Sequence, residues 1–264
     1  MRLFVFGCSF TKYKWPTWAD IVAKAIKPNE YYNYGGQGLG NYAIECLLLE
    51  AELRHKFTEK DIILVNWSGW NREDKYLPPK GWRQGRGSVL HLHHYDEDYL
   101  KKHWSEENDI IRSATSIISC NRLYNISFQT SVVPIGVRER GMKFSAKEDI
   151  FDFYFSHLPE MVDWFHYFDN SNITFFNNWL GLDRITPVKN RGTPFRDPHP
   201  DILEHMEWAK DVVLPNLGFY NWDNRITTWC NRAQKAYIKY YNKNLIIEGF
   251  DFPGWEKGDD PFRL

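Results

Sequence analysis

The residues of this chain able to do chemistry fall into four short blocks: GCSFT at 7–11, NYGGQG at 33–38, SGWN at 68–71 and DPHP at 197–200. A hydroxyl, a glycine turn, a carboxamide and an imidazole in that order are the parts of acyl transfer. A serine hydroxyl is a weak nucleophile until a neighbouring base accepts its proton, which casts Ser9 as nucleophile and His199 as base. The tetrahedral intermediate then needs fixed donors at its oxyanion. The N–H of Ser9, the N–H of Gly38 and the side-chain amide of Asn71 are the candidates. Gly38 suits the task because a peptide without Cβ can approach substrate closely. The third block has two readings: Asn71 holds its working position, or Ser68 or Trp70 does. Arg72 either faces substrate or forms an ion-paired corner with Glu73 and Asp74.

The fourth block carries backbone information. Asp197 and His199 each precede a proline, and that position is biased toward extended backbone. Residues two apart in an extended segment point to the same side. Asp197 is then placed to hold the imidazole tautomer and stabilise the imidazolium. The competing reading has Asp197 cap the following helix, leaving a Ser–His dyad. Cys8 is a rival nucleophile, but its side chain should point away from that of Ser9 and read as a small buried hydrophobe. His91, His93 and His94 in HLHHY have spacings at which imidazoles can share a metal ion. No carboxylate–histidine pattern elsewhere completes such a site, so this segment reads as lid or surface loop. Neither a metal nor a cofactor is expected. GGQGLGN lacks the lysine and hydroxyl of a phosphate-binding loop.

These blocks need a scaffold that brings them to one place. Leu3–Phe6 reads as a buried strand, and Pro16 as the first residue of a helix running to Ile26. A strand at Tyr31–Tyr34 precedes the glycine turn, Asn41 caps the next helix, and DIILVNW is a third strand. Alternation of this kind predicts a parallel sheet with helices on both faces. In such sheets ligands bind outside the carboxyl ends of the strands, where the first three blocks fall. Further on, 97–125 reads as helix, ISFQTSVVPIG as a fourth strand, Ile150–Phe168 as an aromatic-rich helix and ITFFNNWL as a fifth strand. Ile202–Leu217 is a helix bounded by Pro200 and Pro215. The expected organisation is an α/β domain at 1–217 with irregular insertions at about 75–95 and 140–190. A helical extension at 218–264, with its helix at Trp222–Asn242, packs on it.

Composition narrows the partners. Among 264 residues, 33 basic and 34 acidic side chains nearly cancel, leaving −1; such a balance carries no footprint for nucleic acid or an anionic membrane. Four scattered cysteines with no C-x-x-C exclude a disulfide framework or zinc knuckle. No signal peptide or membrane-length apolar run is read, which implies a soluble, cytoplasmic protein. Aromatics reach 17%, more than a core needs, and exposed rings suit sugars or protein surfaces. The oligomeric state is not legible.

The blocks GCSF, NYGGQG, SGWN and DPHP, in this order, resemble those of the SGNH (GDSL-type) hydrolases. GCSFT with WS and an Arg-Glu element after the third strand is similar to phage-encoded members, which implies a viral origin. The resemblance covers about 1–75 and 195–217. It implies a flavodoxin-like three-layer α/β/α sandwich, with Ser9 as nucleophile, Gly38 and Asn71 at the oxyanion and His199 as base. The family's Asp before the nucleophile is Cys8 here, and Arg196 stands where its acid precedes the histidine, with Asp197 one residue closer. The function implied is a serine-dependent ester hydrolase acting on a small-molecule or carbohydrate acyl ester. Two alternatives on the same fold are an O-acyltransferase and a non-catalytic, virion-associated module that binds carbohydrate or protein.

Overall fold

The apolar run near the amino terminus lies inside a sheet, with a strand hydrogen-bonded on each side. In the computed structural model the described residues are 1–69, 72–74, 76, 98, 102–103, 105–131, 173–175 and 199–241. Strand β1 (Arg2–Gly7) pairs with β2 (Glu30–Gly35) on one edge and β3 (Ile62–Trp67) on the other. β3 pairs with β4 (Phe128–Ser131), and β4 with β5 (Ile173–Phe175). Every pairing is parallel and the order is β2-β1-β3-β4-β5. This is the flavodoxin-like doubly wound order, in which the chain reverses its direction of winding between β1 and β3. Gly7 is in register with both Gly35 and Asn66, so three strands end level at one rim.

Alternation along the strands divides the core in two, because successive side chains leave opposite faces. Phe4, Phe6, Ile63, Val65 and Trp67 pack against α2 (Asn41–His55) and α3 (Glu106–Leu123). Leu3, Val5, Leu64 and Phe128 pack against α1 (Trp18–Ile26), α4 (Ile202–Trp208) and α5 (Asn224–Tyr241). Two buried faces explain why the strands read as continuous apolar runs. The result is the expected three-layer α/β/α sandwich. α5, from the stretch read as an extension, contributes Ile226, Cys230, Ala233 and Tyr237 to the second cluster. At the opposite rim, the Arg2 guanidinium grips Asp61 through Nε (2.9 Å) and Nη2 (2.6 Å) and holds its carboxyl down at about 2.

Helix boundaries depart from expectation where side chains outside the helix decide them. α1 starts at Trp18, with Thr17 rather than Pro16 at its threshold. The Thr17 N–H donates to the Asp20 carboxylate at 2.8 Å, a capping-box arrangement that sets the first turn. The N-cap of α2 is Gly40, not Asn41. Its amino-terminal N–H groups donate instead to Asp74, from Gly40 at 2.7 Å and Ala43 at 3.0 Å. The helix after Pro200 is not uniform: α4 passes into a π-helical turn at Ala209–Val213 and ends with Leu214–Asn216. Pro215 therefore sits inside its last turn rather than bounding it. Proline removes a helix donor, and the change of hydrogen-bond register just before it accommodates that loss.

Among the described residues no helix is long and apolar enough to cross a membrane. The segment 78–95 with its HLHHY motif, the helix read at 150–168, Trp70, Asn71, Asp197 and the tail beyond 241 lie outside the described residues.

Candidate active site

Ser9 sits in a tight turn directly after β1, where the Cys8 carbonyl accepts N–H groups from Thr11 (2.9 Å) and Lys12 (3.2 Å). The turn is pinned from both neighbouring strands and from α1. The Thr11 carbonyl accepts from Asn33 Nδ2 (3.1 Å) and Thr17 Oγ1 (2.6 Å), and Thr11 Oγ1 accepts from Asn66 Nδ2 (3.2 Å). Gly7 is required where the strand enters it. Its φ is +157°, and a Cβ there would collide with Thr11 Oγ1 and lie 2.9 Å from the Asn66 carbonyl. Cys8 is wholly buried, whereas Ser9 keeps 6% exposure.

His199 reaches this turn from the far end of the chain. Its Nε2 lies 2.8 Å from Ser9 Oγ, across a sequence separation of 190. With the hydroxyl donating, Nε2 is the acceptor and the ring carries its proton on Nδ1. The ring is stacked on Tyr13, with centroids 4.0 Å apart and planes at 20°, and Phe10 approaches at 5.3 Å and 44°. Behind Tyr13 stands Trp15, edge-on at 4.4 Å, and its indole N–H donates to the Pro200 carbonyl at 3.0 Å. One aromatic segment thus holds both the imidazole face and the backbone that follows it.

The start of α4 secures His199 from the other side. Asp201 and Glu204 form a reciprocal capping box, each side chain accepting from the other's N–H at 2.9 and 2.8 Å. Gln234 of α5 completes the anchor. Its Oε1 accepts from Ile202 N at 3.2 Å and its Nε2 donates to Asp201 Oδ2 at 3.1 Å. His205, one turn further along α4, is buried, and burial first and the proximity of His199 second hold its pKa down at about 3.

The glycine block is tied to the same turn. Gly36 N–H donates to the Gly7 carbonyl (3.0 Å), and Lys12 Nζ to the Asn33 carbonyl (3.1 Å). Gly38 has φ of +71°, a left-handed conformation that non-glycine residues seldom adopt. The third block joins it through Asn41, whose Oδ1 accepts from Ser68 N (2.7 Å) and whose Nδ2 donates to the Ser68 carbonyl (3.3 Å). The Ser68 N–H is therefore committed to Asn41, and its hydroxyl is fully buried. Arg72 donates through Nη1 to the Leu39 carbonyl at 3.0 Å, bracing the glycine turn. Asp74 lies under it; burial pushes its carboxyl up to about 6, against the opposing pull of the Ala43 and Gly40 N–H groups.

The structure thus brings Ser9, His199, Gly38, Ser68 and Arg72 to the carboxyl rim of β1–β3, beside the point where the winding reverses. Sequence reasoning did not anticipate Tyr13, Trp15, Asp74 or Gln234 in these places. Asp74 alone carried a signal, as an acid shortly after the third block. Among the described residues no group of three His, Cys, Asp or Glu side chains is placed to hold a metal ion. A serine hydroxyl donating to an imidazole, with the ring clamped on one face, can transfer a proton as the hydroxyl attacks an electrophile.

No protein-family profile matches the chain, and no curated protein matches it. Among solved structures it is similar to a member of the lipolytic protein G-D-S-L family from Veillonella parvula, at 14% identity and a TM-score of 0.41, over 81% of this chain and 98% of that one. It is also similar to a gut microbial diltiazem-metabolizing enzyme, at 13% identity and a TM-score of 0.42, over 83% of this chain. The match spans 47% of that enzyme's length.

Proposed function

We propose that this chain is an SGNH-type serine hydrolase that cleaves acyl esters. The observation that carries the reading is the 2.8 Å contact between Ser9 Oγ and His199 Nε2 at the carboxyl rim of the sheet. In this reading the Ser9 oxygen attacks the ester carbonyl carbon while its proton passes to Nε2. The imidazolium then protonates the departing alkoxide, leaving an acyl group on Ser9. Water, deprotonated by the same imidazole, releases the acid and restores the serine. The oxyanion is held by the N–H groups of Ser9 and Gly38 and by the Asn71 amide, each such donor being worth about 10²–10³ in kcat. Asp197 is the proposed acid partner of the ring. The proposed substrate is an acetyl or other acyl ester on a small molecule or carbohydrate, a preference resting on the abundance of aromatic side chains. Transfer of the acyl group to a sugar hydroxyl in place of water uses the same steps.

A fluorophosphonate probe tests the reading directly. The wild-type protein is expected to be labelled covalently and to turn over p-nitrophenyl acetate. Ser9→Ala should abolish both, and His199→Ala should slow both by orders of magnitude with the fold intact by circular dichroism. No labelling and no turnover in the folded wild-type protein would replace this reading with a binding module on the same fold.

A further inference from the structure

The ring stacked on His199 belongs to the turn that carries the nucleophile, four residues after Ser9. We infer that Tyr13 is a positioning residue: it fixes the plane of the His199 ring toward Ser9 and supports the positive charge which that ring gains on taking the Ser9 proton. The inference rests on the reading of Ser9 and His199 as a proton-transfer pair. The proton balance is simple: the Oγ–H bond breaks, the proton binds Nε2, and the oxygen's electron pair goes to the acyl carbon.

Geometry supports both halves of the role. At a 4.0 Å centroid separation and a 20° interplanar angle the imidazole lies over the face of the phenol ring. That face carries the negative part of an aromatic quadrupole and favours a cation over a neutral ring. Tyr13 is braced by Trp15, which meets it edge-on at 4.4 Å and is itself packed on Tyr237 of α5 at 4.7 Å. Asp197, the proposed acid partner of the ring, and the other ionisable groups near it are the same in every variant at position 13, so a comparison among those variants isolates the aromatic face. On the turn, Lys12 directs its ammonium to the Asn33 carbonyl. On α4, His205 is held neutral by burial, and Asp201 and Glu204 are bound to each other's backbone. α5 is hydrogen-bonded to the block through the uncharged Gln234.

The experiment compares wild type with Tyr13→Leu, Tyr13→Phe and a pentafluorophenylalanine at position 13, which keeps the ring's shape but reverses its quadrupole. The first readout is the pH titration of the His199 Cε1–H resonance by NMR, which needs no ester turnover. The second is the pH profile of kcat and KM for p-nitrophenyl acetate. Removing the cation-supporting face should move the titration midpoint and the acidic limb of kcat/KM to lower pH by about 0.5–1.5 units, by the usual strength of such contacts. Tyr13→Leu should also lower kcat roughly tenfold with KM changed less than twofold, since a group acting only as charge develops affects the chemical step. Tyr13→Phe keeps the ring face and should keep the wild-type titration midpoint. An unmoved midpoint in the fluorinated protein overturns the inference, even if Tyr13→Leu fails to fold. A shifted midpoint in a wild-type background that neither labels nor hydrolyses esters would instead sink the hydrolase reading and leave the stacking contribution standing.

Discussion

Replacing Gln234 with leucine would cut the two hydrogen bonds that fasten α5 to the segment carrying His199. Ile202 is the first residue of α4, and its N–H has no carbonyl within the helix to bond; Gln234 Oε1 takes it at 3.2 Å. The second bond, from Nε2 to Asp201 Oδ2 at 3.1 Å, steadies the residue two positions after His199. All three residues are buried, so water cannot substitute freely. Leaving the buried Ile202 N–H unpaired costs about 1–3 kcal/mol and losing a hydrogen bond to a carboxylate about 1.5–3 kcal/mol, about 2.5–6 kcal/mol together. Burying a leucine side chain returns about 2 kcal/mol, so the net loss should be about 2 kcal/mol. The effect on the site should be larger in proportion, because a displacement of about 1 Å in a reacting group can cost about 10² in rate. Gln234→Glu sharpens the test: it keeps the acceptor for Ile202 but sets a second carboxylate against Asp201. Like charges placed side by side disfavour the doubly ionised state, so this variant should be least stable at neutral pH and recover in acid as one charge of the pair is lost. Urea unfolding followed by tryptophan fluorescence gives the stabilities, and the rate of fluorophosphonate labelling reports on the Ser9–His199 pair. A Gln234→Leu protein within about 0.5 kcal/mol of wild type, the ordinary scatter of surface substitutions, and labelled at the wild-type rate would refute the claim that α5 holds the site together.

Two other changes probe the rim. Burial raises the Asp74 carboxyl from the ordinary 3.8 to about 6; the folded state therefore holds its proton more tightly than the unfolded state. Stability from this group is fullest below the unfolded value and declines as the pH rises through about 6, by about 3 kcal/mol at most. Asp74→Asn should flatten the urea midpoint between pH 4 and 7; an unchanged slope would show that Asp74 does not titrate there. Gly7→Ala should cost about 1–3 kcal/mol as an overpacking change and displace Thr11, with Ser9 beside it. Thermal melts and probe labelling check both effects, and a wild-type melt with full labelling would mean that the turn yields without strain.

Some of this architecture is local chemistry and could be read directly. The runs at Leu3–Phe6 and Ile62–Trp67 are apolar because both faces of a parallel sheet are buried, and no partner is needed to recognise them. The positive φ of Gly38 and the crowding at Gly7 are backbone requirements that a glycine announces. The approach of a serine after β1 to a histidine before α4 was inferable because the carboxyl rim is where segments leaving parallel strands converge. Asn41 shows where such inference ends. A helix-start asparagine normally caps its own helix, yet here it bridges to Ser68 while Asp74 accepts from the helix N–H groups. Both residues satisfy ordinary hydrogen-bonding needs; which partner serves which need depends on atoms brought close by the fold.

Residue type and spacing by themselves therefore determined the order of the first strands and helices and the two apolar faces, since each follows from short-range periodicity; the serine and histidine were singled out by their blocks, one after a strand and one before a helix. Tertiary structure alone decided that Tyr13 lies under the imidazole, that Gln234 anchors its loop and that Asp74 caps α2 from a distance. Those contacts are set by side-chain direction after a turn and by the docking of one helix on another. Neither leaves a periodic trace in the chain, because each partner was selected by its position in space.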